Sequence, residues 1–215
     1  MADFEEKMTY DDFIADLEYA RPEYKPFCFD GVLIDEYWDK ASPKIMFLLK
    51  ETYGDFDEIR GCEFAGSGGS NTIFRRMRMW TYIIDEVING RNPSYENTLK
   101  IKEAKNNSIA WVNLKKKVEN QVYSNDYDIL KYVERDCEWL NDQIRNYVKP
   151  NIILCGGTFK YCNKLFSNIV PIADKLYKVD NMVLIDFYHP SRRGGYEKDY
   201  DELLSIVKNI TKNNM

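Results

Sequence analysis

The chain holds a single histidine, His189, set in "VLIDFYHPSRRGG" (183–195) between an apolar run and a loop of Pro190, Ser191, two arginines and two glycines. An imidazole there can give or accept a hydrogen bond, or move a proton, near neutral pH. Three other apolar runs end in residues able to do chemistry: "KIMFLLK" (44–50) leads to Glu51, "SIAWVNL" (108–114) carries Asn113, and "NIILCGG" (151–157) closes on Gly156 and Gly157. If the four runs are parallel strands, their carboxyl ends share one rim, where open α/β sheets bind ligands. A carboxylate, an amide, a glycine pair and the sole imidazole would then face one crevice. Each has a plain structural reading alone: a satisfied histidine, a solvated glutamate, a turn-forming asparagine, glycines for close packing. Cys155 and Cys162 read as buried apolar residues, and "NLKKK" (113–117) as a solvated loop.

The elements that must position these residues follow from periodicity. Residues 10–20 have apolar positions at helical spacing, broken by Pro22 and Pro26. The run 44–50 is too short for a buried helix and reads as a buried strand. "GCEFAGSGGS" (61–70) is a glycine-rich loop, after which Ser70 or Asn71 caps a helix over 72–89, ended by Gly90 and Pro93. From Asp128 to Val148, Ile129, Val133, Cys137, Leu140, Ile144 and Val148 recur at three and four, marking an amphipathic helix stopped by Pro150. Further helices are expected from Thr158 to about Phe166 and over 196–210, with a fourth strand at 181–188. Alternating strands and helices imply an α/β domain with a mostly parallel, four-stranded sheet. One domain is expected over 1–215, with 1–43 as a helical or irregular extension.

Composition narrows the function class. With 35 acidic against 30 basic side chains and a net charge of −5, bulk charge draws the protein to neither nucleic acid nor an anionic membrane. Five cysteines without a Cys-x-x-Cys pair argue against a disulfide framework or a zinc knuckle. The acidic start "MADFEEKMTYDDF" is unlike a signal peptide, and no apolar run approaches a membrane span, so a soluble cytoplasmic protein is expected. The 16 tyrosines read as ordinary strand and core usage.

From residue 44 onward, the motifs resemble in order those of the uracil-DNA glycosylase superfamily, in its iron–sulfur, family 4-like branch. "KETYG" (50–54) looks like the first motif, in which a glutamate follows the first strand and a glycine closes the turn. "RGCEFAGSGG" (60–69) is similar to the glycine-rich segment, "WVNLKK" (111–116) to the strand ending in asparagine, and "YHPS" (188–191) to the second active-site motif. "CEWLNDQIRNYVKPNIILCGGTFKYCNKL" (137–165) resembles the family's helix, Lys-Pro, strand and glycine segment. The resemblance implies a three-layer α/β/α fold and a monofunctional enzyme that hydrolyses the N-glycosidic bond of uracil, or a related pyrimidine, in DNA. It implies that His189 stabilises charge on the departing base, that Glu51 orients or deprotonates water, and that Asn113 reads the extruded base. Phe64 would stack on the ring, beside a turn closed by Gly54. Ser191, Arg192 and Arg193 would touch flanking phosphates, with Lys115 and Lys116 as weaker candidates.

Departures from the family sharpen these expectations. Of the four cluster cysteines only Cys137 stands at a matching place, so no iron–sulfur cluster or other metal is expected. Tyr53 and Lys50 replace a common proline and glycine, so the water-positioning turn is expected to differ. The loop after His189 reads "RRGG" where the family has an apolar wedge, which favours single-stranded or distorted DNA. The protein is expected to be a monomer. Two other readings stay open: a nucleotide- or nucleic-acid-binding module of this fold without turnover, and a structural protein whose rim residues only satisfy the core.

Overall fold

A computed structural model describes residues 10–25, 27–32, 34–52, 72–101, 108–118 and 123–212. Among these residues the chain forms seven helices and one mixed sheet of seven strands. The strands are β1 (Gly31–Val32), β2 (Ile45–Leu49), β3 (Ile109–Asn113), β4 (Ile152–Gly156), β5 (Val170–Ala173), β6 (Leu176–Val179) and β7 (Met182–Phe187), in the order β1-β3-β2-β4-β7-β6-β5. The helices are α1 (Tyr10–Ala20), α2 (Asp35–Lys40), α3 (Thr72–Ile88), α4 (Tyr95–Leu99), α5 (Asp126–Asp142), α6 (Cys162–Leu165) and α7 (Tyr196–Lys212).

The four expected strands form the parallel middle of the sheet, β3-β2-β4-β7. The expectation of only four strands is corrected. β1 joins β3 antiparallel through two residues, too few to show a period. On the other side β7, β6 and β5 form an antiparallel meander. Its turns use Lys175 (φ 56°) and Asp180 (φ 51°), left-handed positions filled without glycine. Pro171 falls on the edge strand β5 beside a register shift, where a missing N–H is tolerated.

Alternation along the central strands divides the core into two layers. Ile45, Phe47 and Leu49 face one side with Ile152, Leu154, Ile185 and Phe187, under α3 and α7. Met46 and Leu48 face the other with Val112, Ile153 and Cys155, under α5 and α6. Helix α5 starts at an Asn125 cap, whose side chain accepts from the Tyr127 and Asp128 N–H groups. It continues as a π-turn over Gln143–Val148 and stops at Lys149, which is left-handed at φ 51° ahead of Pro150. α1 and the following residues dock on the outside of α5, where Phe13, Leu17, Tyr24 and Phe27 meet Tyr132, Trp139 and Tyr147.

One buried carboxylate ties this N-terminal part to the sheet. Asp30 accepts from Lys116 Nζ at 2.6 Å, Gln143 Nε2 at 2.9 Å and the Asn113 backbone N–H at 2.6 Å. Removing it strands a buried ammonium, a loss of about 3–5 kcal/mol for a broken buried pair. Asp30→Ala is therefore expected to lower the urea-unfolding free energy by about that amount, while Asp39→Ala, at an exposed carboxylate, leaves it within about 0.5 kcal/mol.

Candidate functional site

β2 lies between β3 and β4, and the chain leaves it first for one neighbour and later reaches the other. The strand order reverses there, and crevices open at such points beyond the carboxyl ends of the strands. Hydrogen bonds past the strand ends hold this rim together. Leu114 and Lys115 N–H donate to the Leu49 and Lys50 carbonyls at 2.9 Å each, and Thr158 Oγ1 donates to Leu48 O at 2.7 Å. Gly157 N–H donates to Phe187 O at 2.8 Å. The two glycines have separate physical reasons. A Cβ at Gly156 would lie 2.8 Å from Leu49 Cδ2 and 3.3 Å from Pro190 Cδ, while Gly157 turns at φ +69°.

Asn113 ends β3 opposite Leu49 and is buried. Its amide Nδ2 donates to Thr52 Oγ1 at 3.3 Å and approaches Cys28 Sγ at 3.4 Å. Burial and the nearby Asp30 charge push the Cys28 thiol up to about 12, so it stays protonated beside the amide. Glu51, two residues beyond β2, is buried and ion-paired with Lys115 Nζ at 3.2 Å. Lys115 also meets Asp128 at the start of α5. The phosphate-facing role expected of Lys115 and Lys116 is therefore corrected: both are buried, with their ammonium groups on Glu51 and Asp128 and on Asp30 respectively. The lysine run looks solvated in the sequence because the three carboxylates that pair with Lys115 and Lys116 lie elsewhere in the chain. Gly54 and Phe64 lie outside the described residues.

His189 follows β7 and is partly buried on the rim. Its Nδ1 accepts the Ser191 backbone N–H at 3.2 Å and stands 2.7 Å from Ser191 Oγ. An Nδ1 that accepts from an N–H is unprotonated, so the proton of the neutral ring sits on Nε2, aimed away from the turn. Burial, assisted by the charge of Lys50, lowers the imidazole from 6.5 to about 4. Lys50 is in turn paired with Asp126 at 2.9 Å, and Lys160 and Lys50 hold the Asp126 carboxyl well below the usual range.

Of the expected phosphate contacts, Ser191 and Arg193 are exposed. Arg192 lies over Tyr188, its guanidinium carbon 3.6 Å from the ring centroid, and is ion-paired with Asp199 at 3.2 Å. Asp199 also receives Arg76 Nε at 3.1 Å, both groups being buried. Sequence reasoning did not single out Arg76, Asp199, Asp30, Thr52 or Cys28. A detectable signal was there: an arginine among Phe74, Met77 and Trp80 on the sheet-facing side of α3.

No group of three or more His, Cys, Asp or Glu able to hold a metal ion occurs among the described residues. The described cysteines do not fit a four-thiolate cluster. Cys28 lies beside Asn113, Cys137 on α5, and Cys155 and Cys162 touch each other at 3.6 Å in the core. No helix among the described residues is long and apolar enough to cross a membrane. Comparison with family models, curated proteins and solved structures finds no match. The geometry thus offers a neutral hydrogen-bond donor, a fixed carboxylate and a buried amide along one rim.

The lowered imidazole has a signed consequence for stability. Between about 4 and 6.5 the unfolded chain binds a proton at His189 that the folded chain does not, so stability rises with pH across that window. The ring is expected to titrate near pH 4 by NMR, and the urea midpoint to fall as pH drops from 6.5 to 4, less so in His189→Gln.

Proposed function

We propose that this protein is a DNA glycosylase that hydrolyses the N-glycosidic bond of uracil, or a related pyrimidine, in single-stranded or distorted DNA without a metal. The observation that carries the reading is the His189 ring: neutral, tautomerically fixed by the Ser191 N–H, and placed at a strand end on the same rim as Glu51 and Asn113. As the C1′–N1 bond breaks, its electron pair passes to the base, and charge grows on the carbonyl oxygens of the base. A neutral Nε2–H donor on this partly buried rim would stabilise that charge through a hydrogen bond while keeping its proton. Glu51, held by Lys115, stands as the carboxylate that orients water toward C1′ and faces the cationic sugar. The water oxygen bonds to C1′, and its proton passes to solvent or to the departing base.

Arg192 supports the DNA reading. Lying over Tyr188 and anchored by Asp199, it is already ordered for a phosphate and loses little rotamer freedom on binding. The loop Ser191-Arg192-Arg193-Gly194-Gly195 carries no apolar side chain to refill a base stack, which fits a substrate whose target base is already unstacked. A second reading, recognition without turnover, draws on one observation: the Asn113 amide is buried and donates inward to Thr52 and Cys28.

Labelled oligonucleotides with one uracil, single-stranded or paired, treated with protein and then alkali, separate the two. Base release is expected, faster on the single strand. It should fall about 100- to 1,000-fold in His189→Ala, by analogy with loss of one oxyanion donor, and by a comparable factor in Glu51→Gln. Saturable DNA binding without strand cutting would favour the second reading.

A further inference from the structure

Arg76 is a buried charge that base recognition does not use. It sits on α3 at 2% exposure, under the Tyr196 ring at 4.5 Å. A guanidinium in such a place carries a large desolvation penalty unless every donor is directed. Here they are. Nε donates to Asp199 Oδ2 at 3.1 Å, Nη1 to the carbonyls of Pro190 at 3.1 Å and Arg192, and Nη2 to the Gly194 carbonyl at 2.8 Å. The three carbonyls are alternate members of the loop that follows His189. Asp199 ties the same loop from α7 through Arg192. An apolar side chain at position 76 would fill the space between α3 and α7 without any desolvation penalty, but it could not hold a backbone.

We infer that Arg76, oriented by Asp199, is a positioning residue for His189: it fixes the 190–194 backbone so that the Ser191 N–H meets Nδ1 and the Nε2–H is left for a ligand. The loop needs such an outside tether, since Gly194 is at φ +149° and Gly195 meets nothing within 4 Å of its ideal Cβ, so neither restrains the chain. The role given to His189 rests on the glycosylase reading, but ring tautomer and loop order can be measured with no substrate present.

His189 is the only histidine, so ring-nitrogen NMR after isotopic labelling of histidine reports on it alone. In the unaltered protein Nδ1 should resonate as a hydrogen-bonded acceptor and Nε2 as the protonated nitrogen, with the Ser191 and Arg192 amides protected from exchange. Two variants test the clamp. Arg76→Lys keeps a charge opposite Asp199 but cannot reach three carbonyls. Arg76→Met combined with Asp199→Leu removes both charges of the buried pair, and with them the tie from Asp199 to Arg192. In either folded variant the two amides should exchange about ten-fold faster or more, and Nδ1 should move to the position of a free acceptor. An unchanged ring pattern and unchanged exchange in either folded variant would overturn the clamp, as would unprotected Ser191 and Arg192 amides in the unaltered protein. Base release is a separate outcome: its absence in the unaltered protein would remove the glycosylase reading and leave this measurement valid.

Discussion

Parallel pairing of β3, β2, β4 and β7 is the constraint from which the rest follows. Four strands that run the same way must end on the same side, so residues up to 138 positions apart, from Glu51 to His189, share a rim because the backbone ladder puts them there. The glycine pair at the end of β4 is part of the same constraint. With a side chain at Gly156, Leu49 and Pro190 could not both approach, and the turn carrying His189 would be displaced from β2.

Charge buried around the rim converts a shared edge into fixed geometry. Asp30 with Lys116, Glu51 with Lys115, and Asp199 with Arg76 are three buried carboxylate–cation pairs, each touching one site residue or its backbone. Pairs of this kind contribute little net stability, because desolvation offsets most of their attraction. Their effect lies in direction: Asp30 fixes the Asn113 backbone, Lys115 fixes Glu51, and Arg76 fixes the loop after His189. An apolar core of equal volume would be as stable but would leave all three free to turn.

The parallel strands, the main helices and the four strand ends were legible in the sequence, because short apolar runs and the three-and-four spacing of α5 are local signals. The outer strands were less so. β1 is too short for a pattern, and the β5–β6–β7 meander turns on Lys175 and Asp180 in place of the glycines that mark hairpins. The misreading of Lys115 and Lys116 has another cause. Whether a lysine is solvated or buried depends on its partner, and the partner of Lys116, Asp30, lies 86 residues away in sequence. The periodicity of α3 puts Arg76 on the apolar face, but nothing local names its partner Asp199, 123 residues away.

The central claim, under the proposed glycosylase reading, is that His189 and Asn113 face one bound pyrimidine, the Asn113 amide turning from Thr52 and Cys28 to meet the base. It is tested most directly by titrating free uracil into labelled protein while following the His189 ring nitrogens and the Asn113 side-chain amide by NMR. Both signals are expected to shift with a common midpoint, and the Asn113→Ala variant to lose the His189 response. If uracil leaves both signals unmoved, or moves only residues away from the rim, the two do not share a base site and the account is contradicted.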